Sequence, residues 1–489
     1  MVHSKNLRDK TKTQNKQNKT SKTSKTSKTS KTSKKPLRIH LQKTKLSAGN
    51  KSAIKLYKNS NDTKLLLMPY RNETATASIY FYFKVGSKNE PPELNGISHF
   101  IEHMIFKGSP KFKSYLDISK TFDANGISFN AFTSKDMTAY HYKFLSSVEN
   151  LDIICKITGD MIMFPLMRDK DILTERNVII QEMKDDEDDI DEFINDKIEC
   201  SIFDGHPLGR TIIGTTETLN NIKQKELLEY HKKYYRLDNL LIAFSGNMQT
   251  TYQSIINKYF SKHNPSNMFK QIDIASQGIS TIIPYQEKHL TTTIECHPKK
   301  LKQDYVHIIF KTKGTFDPLY NHYKLLSNIL GGNMSSRLFV EIREKLGLVY
   351  SIKCSNTNYE EVGYFDIETQ SEHDDTLKCI KNIFIQLEKI KNKQTTVDEK
   401  ELKDNKKNYC DIFATNFDDI EAENEYYSRQ ILYNKSLETS QDRINNINKI
   451  TVAELLDTAN VLFDFSKIHI ITFGKVIEKN IRTVIQHFL

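Results

Sequence analysis

A plan that occurs twice constrains this fold more than any other feature of the sequence. Ala77 to Val85, rich in Tyr, Phe and Ile, ends at Gly86, and Tyr305 to Lys311 ends near Gly314. Leu240 to Ser245 ends at Gly246, and Ile468 to Phe473 ends at Gly474. Both glycine pairs lie 228 residues apart. Runs of β-branched and aromatic residues bounded by glycine read as strands. A helical pattern follows Gly246 and runs through Phe260, and another spans Ile477 to Phe488. Self-similarity at a fixed offset marks a duplicated unit, and 489 residues are too many for a single core. We therefore expect an α+β fold of two tandem homologous domains, each a mixed β-sheet packed against helices. The expected domains are 50–264 and 286–489, joined by a linker at 265–285 that includes Pro265 to Thr281.

The first copy fills in as strands at Lys64 to Met68, Ile127 to Thr133 and Thr138 to Phe144. Helical patterns lie around His99, at Ser114 to Ala124, at Val148 to Phe164 and from Asp169 to roughly Phe203.

Charge excludes one class of function. The net charge is +10, but Met1 to Arg38 holds 13 Lys and Arg against the single acid Asp9. That segment carries +12, so the remainder carries −2 (10 minus 12). A nucleic-acid-binding domain would place its basic residues on a folded face, and aromatic residues would be interleaved with them. Neither holds here, so no nucleic-acid partner is expected. Residues 1–45 are low in complexity, with Lys-Thr-Ser repeated, and should form a disordered tail. The tail has the hydroxyl and basic content of a transit peptide but is Lys-rich and lacks an apolar face, so mitochondrial targeting is only weakly supported. No apolar run reaches about 18 residues, and no membrane span is expected. The six cysteines form no CxxC pair, which points to reduced thiols in a reducing intracellular compartment.

The chemistry is concentrated at His99-Phe100-Ile101-Glu102-His103. Histidines spaced i, i+4 leave one face of a helix and can grip one ion. Two imidazoles suit a borderline cation such as zinc, and Glu102 projects beside them. A catalytic site needs a third protein ligand. Glu175 and Glu182, two helical turns apart, both qualify, and spacing does not choose between them. The competing readings are a pair of structural histidines and a solvated acidic face, which Asp185 to Asp189 surely forms.

With these residues the sequence resembles the pitrilysin/insulinase family of zinc metallopeptidases, whose inverted HxxEH order it matches. The match runs through Gly96 to Gly108, Asn130 to Ser134, Glu175 to Glu182, Pro207 to Gly214, Ser336 to Phe339 and Arg343 to Tyr350. It covers roughly residues 60 to 480. The resemblance implies His99, His103 and Glu182 as ligands of Zn2+, Glu102 as general base and Glu175 as an accessory acid near the metal. It implies that Arg343 and Tyr350 assist the substrate, a peptide or unfolded protein segment held on an edge strand at Asn130 and Ala131. Bland alternatives for the last pair are a helix salt bridge from Arg343 to Glu341 or Glu344, and a core role for Tyr350. Chains of this size in the family form half of a clamshell, which implies a homodimer, with a heterodimer as the alternative. A catalytically inactive structural or regulatory member is the rival reading. Such members typically lose metal ligands, whereas His99, Glu102, His103 and Glu182 are all present.

Overall fold

Tyr80 and Tyr82 alternate with Ile79, Phe81 and Phe83 along one strand, and all five are buried. A strand buried on both faces requires a covering layer on each side. The computed structural model shows what supplies the layers. It describes residues 54–69, 75–261, 268–272, 285–392, 397–433 and 435–489. The tail expected at 1–45, and the linker residues 265–267 and 273–284, lie outside the described residues.

The strands are β1 (Lys55–Lys58), β2 (Lys64–Pro69), β3 (Thr76–Phe83), β4 (Ser128–Thr133), β5 (Thr138–Leu145), β6 (Leu240–Gly246), β7 (Lys270–Ile272), β8 (Thr293–Pro298), β9 (Asp304–Lys313), β10 (Val349–Asn358), β11 (Val362–Ser371) and β12 (Ile468–Gly474). Among the described residues they form two sheets. The first has the order β4-β5-β3-β6-β2-β1-β7 and the second β10-β11-β9-β12-β8. The second repeats the first five positions of the first, strand for strand. Orientation repeats too: β2 runs parallel to β6 and β8 parallel to β12, while β3 and β9 are antiparallel to their neighbours. The duplication expected from the glycine spacing is therefore a duplication of topology. β7 falls inside the segment expected as a linker and extends the first sheet by pairing with β1.

The matched glycines do the same physical work in both copies. A Cβ on Gly86 would lie 2.2 Å from the Ser134 carbonyl oxygen, and one on Gly314 would lie 2.2 Å from that of Glu360. Gly246 and Gly474 both adopt positive φ, 110° and 140°, which side chains rarely tolerate.

Each sheet has its own core on one face. Ile79, Phe81 and Phe83 of β3 meet Phe100 and Met104 from the helix Ile97–Ile105, and Val306, Ile308 and Phe310 of β9 meet Leu326 and Leu330. The other faces are covered reciprocally. Tyr427 and Ile431, from the late helix Ile420–Leu432, pack on Tyr80, Tyr82, Leu241 and Ala243 of the first sheet. Ile194, Ile198 and Ile202, from the early helix Ile190–Ile202, pack with Ile309, Ile471 and Phe473 of the second. Each buried Ile of this kind contributes about 1.5–3 kcal/mol of apolar transfer, so three on one helix face outweigh any surface ion pair between the halves. Polar ties add register: Asn424 Nδ2 donates to the Ala243 carbonyl at 3.0 Å, and Ser245 Oγ to that of Ile420 at 2.7 Å.

The long helix expected from Asp169 to Phe203 is two helices, Asp169–Asp188 and Ile190–Ile202. Asp189 breaks them, because its carboxylate accepts the N–H groups of Asp191 and Glu192 and caps the second helix. All six cysteines are free thiols. No helix among the described residues is long and apolar enough to cross a membrane.

The packing predicts opposite outcomes for two glycine substitutions. Gly314→Ala drives a methyl group into backbone and should lower stability by about 1–3 kcal/mol in a denaturant titration. Gly159→Ala, inside the helix Val148–Met163, meets the Phe260 ring at 3.5 Å and the Tyr259 Cβ at 3.8 Å, both ordinary contacts, and should be neutral or stabilising by up to about 1 kcal/mol. Equal effects would contradict the assigned environments.

Candidate metal and catalytic site

The helix Ile97–Ile105 begins at Gly96, whose φ is 96° and whose missing Cβ would lie 2.6 Å from the Ile213 carbonyl. Glu90 fixes this start. Its Oε2 accepts from Gly96 N at 2.7 Å and Asn95 Nδ2 at 2.8 Å, and its Oε1 accepts from Ser98 N at 2.8 Å. Two of the helix's orphan donors are thereby satisfied by a carboxylate. Burial pushes the Glu90 carboxyl up to about 7, against the pull of these hydrogen bonds. The first half of the helix is locked in place before any ligand enters.

Phe100, Ile101, Met104 and Ile105 are buried in the first core. The remaining face presents His99, Glu102 and His103. The ring centroids of His99 and His103 are 4.7 Å apart. The helix Asp169–Asp188 lies alongside, anchored by Arg176, which donates to the carbonyls of Leu219 and Ile222 at 3.0 and 2.7 Å. It brings Glu182 Oε1 to 3.9 Å from His99 Nε2, and Oε2 to 3.5 Å from His103 Nε2. One ligand atom from each of the three residues lies within 4.8 Å of the other two.

These separations fit a metal better than direct pairing. Tetrahedral donors about 2.0–2.1 Å from one ion lie roughly 3.3 Å from each other. No hydrogen bond joins Glu182 to either imidazole, and buried His99 Nδ1 has no partner among the described residues. Burial and the neighbouring His103 hold the His99 pKa well below its usual value. Its imidazole is thus kept neutral, the form that binds a cation.

Glu175, left level with Glu182 by spacing alone, sits behind His103. Its Oε2 meets His103 Nδ1 at 3.2 Å, and its Oε1 pairs with Lys107 Nζ at 2.5 Å. Burial alone would raise its pKa, but the hydrogen bonds from His103 and Lys107 prevail and hold it below the usual range. A carboxylate behind an imidazole fixes the tautomer and aims the other ring nitrogen. Glu102 is half-buried, and Thr133 Oγ1 donates to its Oε2 at 2.7 Å. Burial raises the Glu102 pKa despite His103 and Thr133, which moves a carboxylate toward the range useful for a general base.

Asn130 and Ala131 lie on β4, the strand at one edge of the first sheet, half-buried and paired to β5 through His141 and Tyr140. Thr133 ends the same strand, so the unpaired edge leads to Glu102. Arg343 and Tyr350 are placed elsewhere. Arg343 belongs to the π-helical segment Phe339–Lys345, pairs with Glu344 and lies over the Phe339 ring. Tyr350 is the second residue of β10 and is 81% exposed. Among the described residues neither touches the His99–His103–Glu182 group. Sequence reading missed Glu90, Arg176 and Thr133. Only Glu90 leaves a sequence signal, an acid shortly before a helix start, and its distance from the helix conceals it.

The chain is similar to several known proteins. Residues 66–216 match the family described as Insulinase (Peptidase family M16), and residues 221–409 match the Peptidase M16 inactive domain. The uncharacterized zinc protease YmxG of Bacillus subtilis is 33% identical over 317 residues, 64% of this chain and 73% of the relative. An uncharacterized zinc protease of Rickettsia felis is 32% identical over 339 residues, 68% of this chain and 76% of the relative. The crystal structure of a protease from Helicobacter pylori superposes with a TM-score of 0.76 at 21% identity, covering 86% of this chain and 99% of that one. A peptidase M16 inactive domain from Pseudomonas fluorescens gives 0.75 at 19% identity, over 87% and 98%. The two structures establish a shared fold, and the matches across both halves establish more: the chain belongs to the insulinase family, peptidase family M16.

Proposed function

We propose that this chain is a zinc-dependent endopeptidase that cleaves peptides or unfolded protein segments. The observation that carries this reading is the convergence of His99, His103 and Glu182 within 4.8 Å, with Glu102 beside them on the same helix. The names of the relatives, zinc proteases, point the same way. His99, His103 and Glu182 would hold the zinc ion, which would supply Lewis acidity and a water activated near neutral pH.

The remaining roles belong to side chains and backbone. Glu102 accepts a proton from the attacking water and passes it to the leaving amine. Thr133 holds the Glu102 carboxylate in one orientation, and Glu175 does the same for His103. A substrate strand pairs with the open edge of β4 at Asn130 and Ala131, where main-chain hydrogen bonds fix register with little demand on sequence. Tyr350 donates its hydroxyl to the carbonyl oxygen as charge develops, and Arg343 holds the substrate main chain. Their separation from the metal-binding group within one chain, and the exposure of Tyr350, support their acting on a second copy across a homodimer. The two domains proposed for this work are 50–264, which carries the metal, and 286–489, which carries Arg343 and Tyr350.

Three measurements test this reading. Zinc analysis of purified protein should show His99→Ala, His103→Ala and Glu182→Gln each losing one equivalent relative to wild type. Glu182→Gln keeping that zinc while Glu175→Gln loses it would reverse the ligand assignment. Glu102→Gln should fold and keep zinc while cleavage of a quenched peptide falls by at least about a hundredfold; near-normal turnover would remove the mechanism. Finally, mixing inactive Glu102→Gln chains with inactive Tyr350→Phe chains, under conditions that exchange subunits, should restore a substantial fraction of activity. Demonstrated exchange without recovery would sink the shared site and leave the metal assignment standing.

A further inference from the structure

The second sheet carries a cluster of metal-ligating side chains that plays no part in the chemistry above. His307 on β9 stands directly across from Glu368 on β11, and Asp366 lies two residues along the same strand. Strand periodicity therefore puts all three on one face. One ligand atom from each lies within 4.8 Å of the others. His307 and Asp366 are each only 5% exposed. His307 Nδ1 and Asp366 Oδ2 are 2.8 Å apart, but Asp366 Oδ1 is buried and has no hydrogen-bond partner. An orphan carboxylate oxygen at that depth is costly unless a ligand satisfies it.

The surroundings provide room and charge. A cleft of about 280 Å³ opens between this face and the helix Ile190–Ile202, lined in part by Asp191, Asn195, Tyr305, His307 and Glu368. Asp191, Asp366 and Glu368 supply three negative charges, and all three raise the His307 pKa against the effect of burial. The facing cation is Lys353, 3.4 Å from Glu368 Oε1 and 68% exposed. A pair that open to solvent is weak and yields readily to a competing ion.

We propose that His307, Asp366 and Glu368 form a second divalent-cation site, separate from His99, His103 and Glu182. One imidazole and two carboxylates suit a borderline first-row ion of the Zn2+ or Fe2+ class better than a hard ion that prefers oxygen alone. The cleft wall bearing Asp191 begins one residue after the helix that carries Glu182, so an ion here would brace the segment that follows a ligand of the first site.

The test uses the full chain with the first site removed, His99→Ala with His103→Ala, stripped of metal and titrated with Zn2+ against a chromophoric chelator. One equivalent should bind. Adding His307→Gln should weaken that binding at least about tenfold, with unchanged circular dichroism of the metal-free protein. Glu368→Gln, at a more exposed position, serves as the second variant and should weaken binding similarly even if His307→Gln perturbs folding. Zn2+ should also raise the melting temperature of the double variant but not of its His307→Gln or Glu368→Gln derivatives. Absence of stoichiometric binding to the double variant would overturn the proposal, as would binding by both derivatives as tight as that of the double variant. Because the first site is absent throughout, neither result depends on the peptidase reading.

Discussion

Burial of both faces of the central strands is the constraint on which the rest of this structure depends. β3 and β9 carry apolar or aromatic side chains on both sides, and neither half of the chain covers both faces of its own sheet. The solution is reciprocal: Ile190–Ile202 leaves the first half to cover the second sheet, and Ile420–Leu432 returns to cover the first. The described residues consequently form one compact unit. The exchange also bears on the site, because the helix that delivers Glu182 leads, through the Asp189 cap, directly into the exchanged helix.

The candidate site is preorganised by groups outside the His99–His103–Glu182 cluster. Glu90 fixes where the HxxEH helix starts, Arg176 fixes the helix that supplies Glu182, and Glu175 and Thr133 orient His103 and Glu102. Four partly buried ionisable groups on adjacent helices would repel or collapse into ion pairs without such anchors. Here they hold three ligand atoms apart at distances suited to coordination, and the open edge of β4 runs toward the same point.

Much of this was legible in the sequence, and the limits have physical causes. The glycine offsets revealed the duplicated sheet because Gly86 and Gly314 face the same backbone collision, and such a constraint leaves its mark at a single position. The i, i+4 spacing of His99 and His103 was readable because helix geometry is local. Glu175 and Glu182 could not be separated by spacing, since they share a helix face and differ only in what the neighbouring helix presents to them. The exchange of helices was invisible, because an amphipathic pattern tells that a face is buried but not against which sheet. The break at Asp189 was hidden within a continuous polar run, where the capping geometry of one carboxylate decides the outcome. The His307 cluster depends on strand register, which no local pattern specifies.

The central claim is that His99, His103 and Glu182 converge on one ion. Anomalous diffraction at the zinc absorption edge, from crystals of the wild-type chain grown with zinc, locates that ion without reference to activity. The account predicts a peak about 2.0–2.2 Å from an imidazole nitrogen of each histidine and from the Glu182 carboxylate, with Glu175 outside bonding distance. A peak bonded to Glu175 in place of Glu182, or no peak between the two histidines, would contradict it.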